Sequence, residues 1–373
     1  MPISALTDIQ APTPARKHFP ALDGLRGVAA IAVVVFHFME MVIGNYSDLF
    51  IGHGWLAVDF FFCLSGFVIG YAYDDRVGSM GKWNFAMVRL IRLHPMVVFG
   101  SVLGLITLYV DPFRPGALPY SAGQVSLIFL ASLFLIPYPA MQERSFCLFS
   151  LNSPAWSLFW EYVANIVYAV FLCRLGRRAL GIATAGAALI LCAVGYRYGN
   201  LWAGFNGETF WVGAARVNFS FLAGLLVYRC GLVIKNRFSF FLLALLLVFA
   251  LVMPYAKGGW IREAAVMIIY FPLLVMLGAG ATLGERSKKF CKLAGEISYP
   301  LYMTHYAVIY VFGNYYDKTH PGPTELALVV IGGVIAMVGF AYLVMKFYDI
   351  PLRAHLSRRK TGRASGEIGR TAG

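Results

Sequence analysis

Apolar residues dominate this chain in long runs separated by short polar links. Eleven runs are legible, at about 25–43, 54–72, 95–110, 123–137, 154–173, 179–196, 213–234, 239–254, 263–282, 298–313 and 324–347. Runs of fifteen to twenty apolar residues have the length of helices that cross a hydrocarbon layer about 30 Å thick. The pattern predicts an all-α integral membrane protein with one bundle domain over 21–352. A polar tail over 1–20 precedes it and a basic tail over 353–373, expected to be disordered, follows. Composition strengthens this: 59% of the 373 residues are hydrophobic and 13% are charged, against roughly 25% charged in soluble domains. The first twenty residues show no cleavable signal pattern. The six cysteines stand singly, without a CxxC or a Cys/His cluster, so neither a metal site nor a disulfide framework is expected.

The net charge of +13 would suit a nucleic-acid partner only if it were gathered on one polar face. It lies instead in short links and in the C-terminal tail, as the positive-inside rule requires. Arg16, Lys17 and Arg26 put the N-terminus in the cytoplasm. Arg76, Lys82, Arg89 and Arg92 mark the next cytoplasmic link, and Arg286, Lys288, Lys289 and Lys292 mark a later one. The basic tail puts the C-terminus on the same side. Eleven crossings would separate the ends, whereas ten satisfy every basic link. The weakest run is 123–137, which is short and flanked by Pro112, Pro115, Pro119, Pro137 and Pro139. Residues 111–153 are therefore expected to form an outer-face lid with a re-entrant or interfacial helix, its backbone shielded by protein or lining a wet cavity.

Ionisable residues inside such runs are costly and mark candidate chemistry. The stretch LDGLRGVAAIAVVVFHF carries Arg26 and His37 eleven residues apart, on nearly one helix face and about 16 Å apart. A snorkelling Arg and a packed His would be the bland alternative. Glu161, in PAWSLFWEY, falls about 10 Å below Pro154 on a descending helix, a depth similar to that of His37. A His–carboxylate pair there would orient the imidazole as a general base. Asn165 and Tyr168 continue the Glu161 face. Arg89 and Arg92 in FAMVRLIRLHP lie one turn apart at the cytoplasmic entrance of a span, where they either anchor topology or bind phosphate. His94 and Pro95 read as helix-start residues. Asp59 pairs with an Arg or with the His, Ser65 permits close packing, and Arg216 needs a partner that the sequence does not name. Ser298, Tyr302 and His305 share one face, which lines a channel for a polar ligand or forms a packing seam.

The stretches LDGLRGVAAIAVVVFH, VDFFFCLSGFVI, RLIRLHP, PAWSLFWEY and ISYPLYMTH, in this order, resemble the acyltransferase-3 family of membrane acyltransferases. The resemblance covers about 20–350. It implies ten helices and transfer of an acetyl or other short acyl group from cytoplasmic acyl-CoA to a hydroxyl. The acceptor would be a sugar of a cell-surface glycan such as a lipopolysaccharide or exopolysaccharide, reached from the bacterial inner membrane. It implies His37 as the essential catalytic residue with Arg26 as its motif partner, and Arg89 with Arg92 on the CoA phosphates. The combined expectation is His37 oriented by Glu161 as the catalytic pair. Arg26, Arg89, Arg92, Tyr302 and His305 face the donor, and Asp59, Ser65, Trp156 and Ser298 support them. No metal and no permanently bound cofactor are expected. A proton-coupled transporter of a lipid-linked sugar or small metabolite, and a subunit of a polysaccharide export complex, are the competing classes.

Overall fold

The computed structural model describes residues 18–359. Expectations for 1–17 and 360–373 lie outside the described residues. Among the described residues, besides the single turn Val77–Met80, eleven longer helices occur: α1 (Pro20–Val42), α2 (Ala57–Tyr73), α3 (Lys82–Val110), α4 (Ala122–Leu133), α5 (Ala155–Val170), α6 (Arg177–Tyr198), α7 (Phe210–Arg229), α8 (Phe240–Leu251), α9 (Trp260–Gly280), α10 (Glu285–Thr319) and α11 (Pro323–Arg359). No strand occurs among the described residues. The fold is an all-α membrane protein.

Eight helices are long and apolar enough to cross a bilayer: α1, α2, α3, α5, α6, α7, α9 and α11. Helix α10 runs for 35 residues, about 52 Å, but its first turns carry Arg286, Lys288, Lys289 and Lys292. Helices α4 and α8 have 12 residues each, about 18 Å, short of a 30 Å core. The run 123–137 is thus too short to cross alone, and so is 239–254, which had been counted as a crossing helix. Two boundaries shift as well. Helix α3 begins at Lys82, so His94 and Pro95 sit inside it rather than at its start. Helix α11 continues to Arg359, into the stretch assigned to the basic tail.

Prolines shape the long helices. A proline inside a helix removes one backbone donor and crowds the carbonyl four residues earlier. In α9 a π-helical turn at Val266–Tyr270 immediately precedes Pro272, and in α11 one at Met345–Asp349 precedes Pro351. The wider turns give those rings room. In α3, Pro95 sits inside a continuous helix, and neighbouring helices donate to nearby carbonyls: Tyr299 to Leu93 at 2.5 Å and Tyr348 to Pro95 at 3.1 Å.

The two most extensive helix contacts are α1 with α10 and α2 with α7. Small residues permit both. Gly24 and Gly27 of α1 face Cys291 and Ala294 of α10. Where α2 crosses α7 the contact is reciprocal. A side chain at Gly66 would overlap the carbonyl of Phe221, and one at Gly224 the carbonyl of Cys63. Neither backbone can retreat without unpacking its helix. Gly224→Ala is therefore expected to destabilise the purified protein by about 1–3 kcal/mol or more. Gly339→Ala, on an open face of α11, should be neutral or slightly stabilising. Thermal unfolding in detergent compares them, and equal shifts would mean that the α2–α7 crossing is not backbone-tight.

Candidate active site

Arg26 and His37 open on two different cavities. The first, about 230 Å³, is lined by Arg26, Ser65, Arg89, Arg92, Glu161, Tyr299 and surrounding apolar side chains. Arg26 is held firmly. Its Nε donates to Ser298 Oγ at 3.0 Å, and its Nη2 donates to Asp23 Oδ1 and to the Gly295 carbonyl, both at 3.0 Å. Arg89 donates through Nη2 to Glu161 Oε1 at 2.8 Å, and Ser65 Oγ donates to the same oxygen at 3.1 Å. The Arg89 Nε is buried without a partner. Arg92 lies over the Tyr299 ring at 6.0 Å and makes no direct ion pair among the described residues, the Asp349 carboxylate acting on it only at longer range. The cavity therefore holds more guanidinium donors than protein acceptors, which suits phosphate or another anion.

The second cavity, about 60 Å³, is lined by His37, Glu40, Trp55, Ser153, Trp202, Tyr306 and others. Glu40 Oε2 accepts from His37 Nδ1 at 2.7 Å. That bond fixes the tautomer and leaves the Nε2 lone pair free to accept a proton. The other Glu40 oxygen accepts the Tyr46 hydroxyl from the link after α1. Burial, and then the charge of Glu40, keep that hydroxyl protonated far above its usual range. The His37 ring is packed by Tyr306 at 4.7 Å and by His305, stacked at 5.4 Å. His305 donates from Nδ1 to the Tyr302 carbonyl at 2.8 Å, while its Nε2 is buried without a partner.

Val58 and Tyr302 line both cavities. The Tyr302 hydroxyl lies 2.8 Å from Ser157 Oγ, so this pair is part of the wall between them. Arg216, which also lines the His37 cavity, forms a two-pronged ion pair with Asp59. Arg216 Nε and Nη2 donate to Oδ1 and Oδ2 at 3.0 and 2.6 Å, and Nη1 donates to the Ala203 carbonyl at 2.7 Å. Trp55 and Trp156 cover the guanidinium at 5.0 and 5.2 Å.

Comparison with known proteins decides the class. The acyltransferase-3 family, described as "Acyltransferase domain", matches residues 19–346. The chain belongs to this family. It is an integral membrane acyltransferase, which sets aside the transporter and export-subunit classes. Among its relatives are "Protein 2 in picA locus" of Rhizobium radiobacter, 34% identical over 47% of this chain and 93% of that protein, and "Acyltransferase MdmB" of Streptomyces mycarofaciens, 26% identical over 78% and 79%. "Peptidoglycan O-acetyltransferase OatA" of Listeria monocytogenes is 25% identical over 91% of this chain, which spans 56% of that longer protein. No solved structure matches.

The acyltransferase corrects two readings of its sequence. Glu161 does not pair with His37; it pairs with Arg89 and Ser65, in the other cavity. The expected similar depth assumed that α5 starts at the membrane surface near Pro154. Instead Ser153 and Pro154 already line the His37 cavity, so Glu161, about 10 Å further along, falls past the wall. His305 is likewise not among the residues lining the arginine cavity; it packs on His37. The other supporting residues meet partners: Asp59 finds Arg216, Ser298 holds Arg26, and Trp156 covers Arg216. Asn165 Nδ2 donates to the Glu161 carbonyl at 2.7 Å, and Tyr168 donates to Asp74 at 2.8 Å. Glu40, Tyr46 and Ser157 escaped the sequence reading. Glu40 had a visible signal, because it stands three residues after His37 on one helix face.

Asp59 and Arg216 are both almost fully buried. Removing one partner leaves an uncompensated charge, which costs about 3–5 kcal/mol in buried pairs. Arg216→Met should therefore destabilise the purified acyltransferase strongly, and Asp59→Leu with Arg216→Met should recover much of the loss. Unfolding in detergent reads both. Strict additivity of the two single losses would show that the charges do not stabilise one another.

Proposed function

We propose that this acyltransferase moves an acetyl or other short acyl group from cytoplasmic acyl-CoA to a hydroxyl of a sugar or cell-surface glycan. It works in a bacterial inner membrane with both termini in the cytoplasm. The observation that carries the reading is the pairing of an anion-ready arginine cavity with a separate His–Glu cavity across a shared wall. The printed name of the Listeria relative, a peptidoglycan O-acetyltransferase, supports a glycan acceptor. The charge pattern of the links supports the orientation.

In this reading Arg89 and Arg92 bind phosphate oxygens of the donor through charge-assisted hydrogen bonds, with Arg26 beside them. Glu161 restrains Arg89 in the cavity without neutralising its Nε. The thioester reaches the wall at Tyr302. The acceptor hydroxyl comes from the opposite side and donates to His37 Nε2. As its oxygen bonds to the thioester carbonyl carbon, its proton passes to Nε2, and Glu40 stabilises the resulting imidazolium. The carbonyl oxygen becomes an oxyanion that needs a donor; the Tyr302 hydroxyl in the wall serves only by turning away from Ser157 Oγ, to which it donates while the Ser157 proton goes to the Pro154 carbonyl. Collapse breaks the C–S bond. The thiolate of CoA takes the proton from His37, and the ester leaves on the acceptor side.

Two predictions test the two cavities separately. His37→Gln should lose roughly 10²–10⁴ in turnover, because an amide can hydrogen-bond but cannot take the proton. Glu40→Gln should lose less, since its amide oxygen still accepts the ring N–H. Both should bind acyl-CoA normally. Near-normal turnover of His37→Gln with a dead Glu161→Gln would reverse the roles and make Glu161 the base.

For the donor cavity, Arg89→Ala and Arg92→Ala should each raise the KM for acyl-CoA about tenfold or more, as a lost charge-assisted hydrogen bond of roughly 1.5–3 kcal/mol implies. Membrane insertion should be unchanged. Acyl-CoA affinity unaltered in both variants would return the pair to topological anchoring.

A further inference from the structure

A third cavity, about 790 Å³, opens where α1 begins, between the α7–α8 and α9–α10 links and the first turns of α10. Five cationic side chains line it: Lys235, Arg237, Lys288, Lys289 and Lys292. Among the described residues no carboxylate does. Only Lys288 has an acidic partner among the described residues, Glu285 at 2.6 Å. The sole other titratable lining group, His18, is engaged by Asp23 at 2.7 Å.

The floor of this cavity is built backbone. Asn236 N donates to the Gly280 carbonyl at 3.2 Å, and Thr282 N donates to the Asn236 carbonyl at 3.1 Å. The Asn236 side chain donates to the Ile234 and Leu277 carbonyls at 2.7 and 2.9 Å. The positive-inside rule explains why basic residues occupy these links. It does not explain why charges from two segments far apart in sequence converge on one cavity, where like charges repel.

The flanks indicate what would neutralise them. The cations alternate with exposed apolar side chains: Ile234 and Phe238 bracket Lys235 and Arg237, while Phe290 and Leu293 accompany Lys289 and Lys292. An anion in the cavity would thus have hydrocarbon-facing side chains beside it. A soluble anion makes no use of them; a phospholipid does, because its phosphate and its acyl chains are joined. The cavity also shares no lining residue with the arginine cavity assigned to the donor.

We propose that this cradle binds the headgroup phosphate of an anionic phospholipid, with the acyl chains lying along Ile234, Phe238, Phe290 and Leu293. Basic pockets between membrane helices recognise such headgroups through the same combination of charge and depth. The bound lipid would tie the start of α1, which carries Arg26 and His37, to the two links and to α10.

The test uses the full chain, purified from discs holding equal phosphatidylglycerol and phosphatidylcholine, with retained lipid measured by native mass spectrometry. Phosphatidylglycerol should be retained at least tenfold over phosphatidylcholine. Each of Lys235→Gln, Arg237→Gln, Lys289→Gln and Lys292→Gln should weaken retention about fivefold, without changing the KM for acyl-CoA. Equal retention of the two lipids by the wild-type protein would overturn the proposal, whatever the variants do. Displacement of phosphatidylglycerol by millimolar adenosine 3′,5′-bisphosphate, with a raised acyl-CoA KM in the variants, would assign the cradle to the donor nucleotide and overturn it as well.

Discussion

Charge inside a hydrocarbon-thick bundle must be paired, and this protein is organised by how completely each charge is paired. Burying an isolated ion costs several kcal/mol even after relaxation. Asp59 and Arg216 meet that constraint in full: both carboxylate oxygens and three guanidinium nitrogens are used, and two tryptophans exclude water. Arg26 is nearly as well held. Arg89 is only partly satisfied, and Arg92 makes no direct ion pair among the described residues, with Asp349 acting on it at longer range. The gradient has a direction. Full pairing occurs at Arg216, which lines the His37 cavity, while inside the bundle the open guanidinium donors lie in the cavity of Arg89 and Arg92. Structural charges are closed on themselves; the donors left open are those available to a ligand.

The wall depends on where α5 begins. Ser145 and Phe146 take left-handed backbone angles, with φ of 53° and 49°, uncommon for residues with side chains. They turn the chain so that Ser150, Asn152 and Ser153 are buried. Ser150 Oγ donates to the Cys147 carbonyl at 3.2 Å and Arg144 donates to the Ser150 carbonyl at 2.5 Å, while Asn152 Nδ2 is buried without a partner. Irregular backbone is tolerated at such depth only when protein satisfies it. Its consequence is a helix that starts inside the bundle, with Ser157 at the level of Tyr302 and Glu161 beyond it.

This explains what was legible in the sequence and what was not. The apolar runs locate all eleven helices, because hydrocarbon thickness imposes length and composition directly on the chain. Arg26 and His37 stand out because a charge in an apolar run is conspicuous, and the Arg89–Arg92 spacing places both on one side of α3. Depth is another matter. Glu161 was placed beside His37 by counting down from Pro154, and the count fails because residues 145–154 descend before the helix begins. Nothing in the residue types of that stretch encodes the descent. The partner of Arg216 was hidden for a related reason: Asp59 lies 157 positions away, and only the α2–α7 crossing brings them together. Glu40, by contrast, was within reach, since a carboxylate three residues after a histidine is a neighbour on any helix.

Two carboxylates thus divide work that the sequence alone assigned to one. Glu40 acts on the imidazole, and Glu161 acts on a guanidinium. The division has a physical rationale. A single carboxylate between His37 and Arg89 would be claimed by the permanent charge of the arginine, and its ability to stabilise an imidazolium would fall accordingly. Separation by the Val58–Tyr302 wall lets each cation have its own counter-charge. In the proposed reaction His37 gains a proton and then returns it to a leaving thiolate, which works best when neither charge state is locked in. Glu40, with one oxygen on His37 and the other on Tyr46, gives the ring an anionic partner that is itself anchored, so the histidine can change charge without changing position.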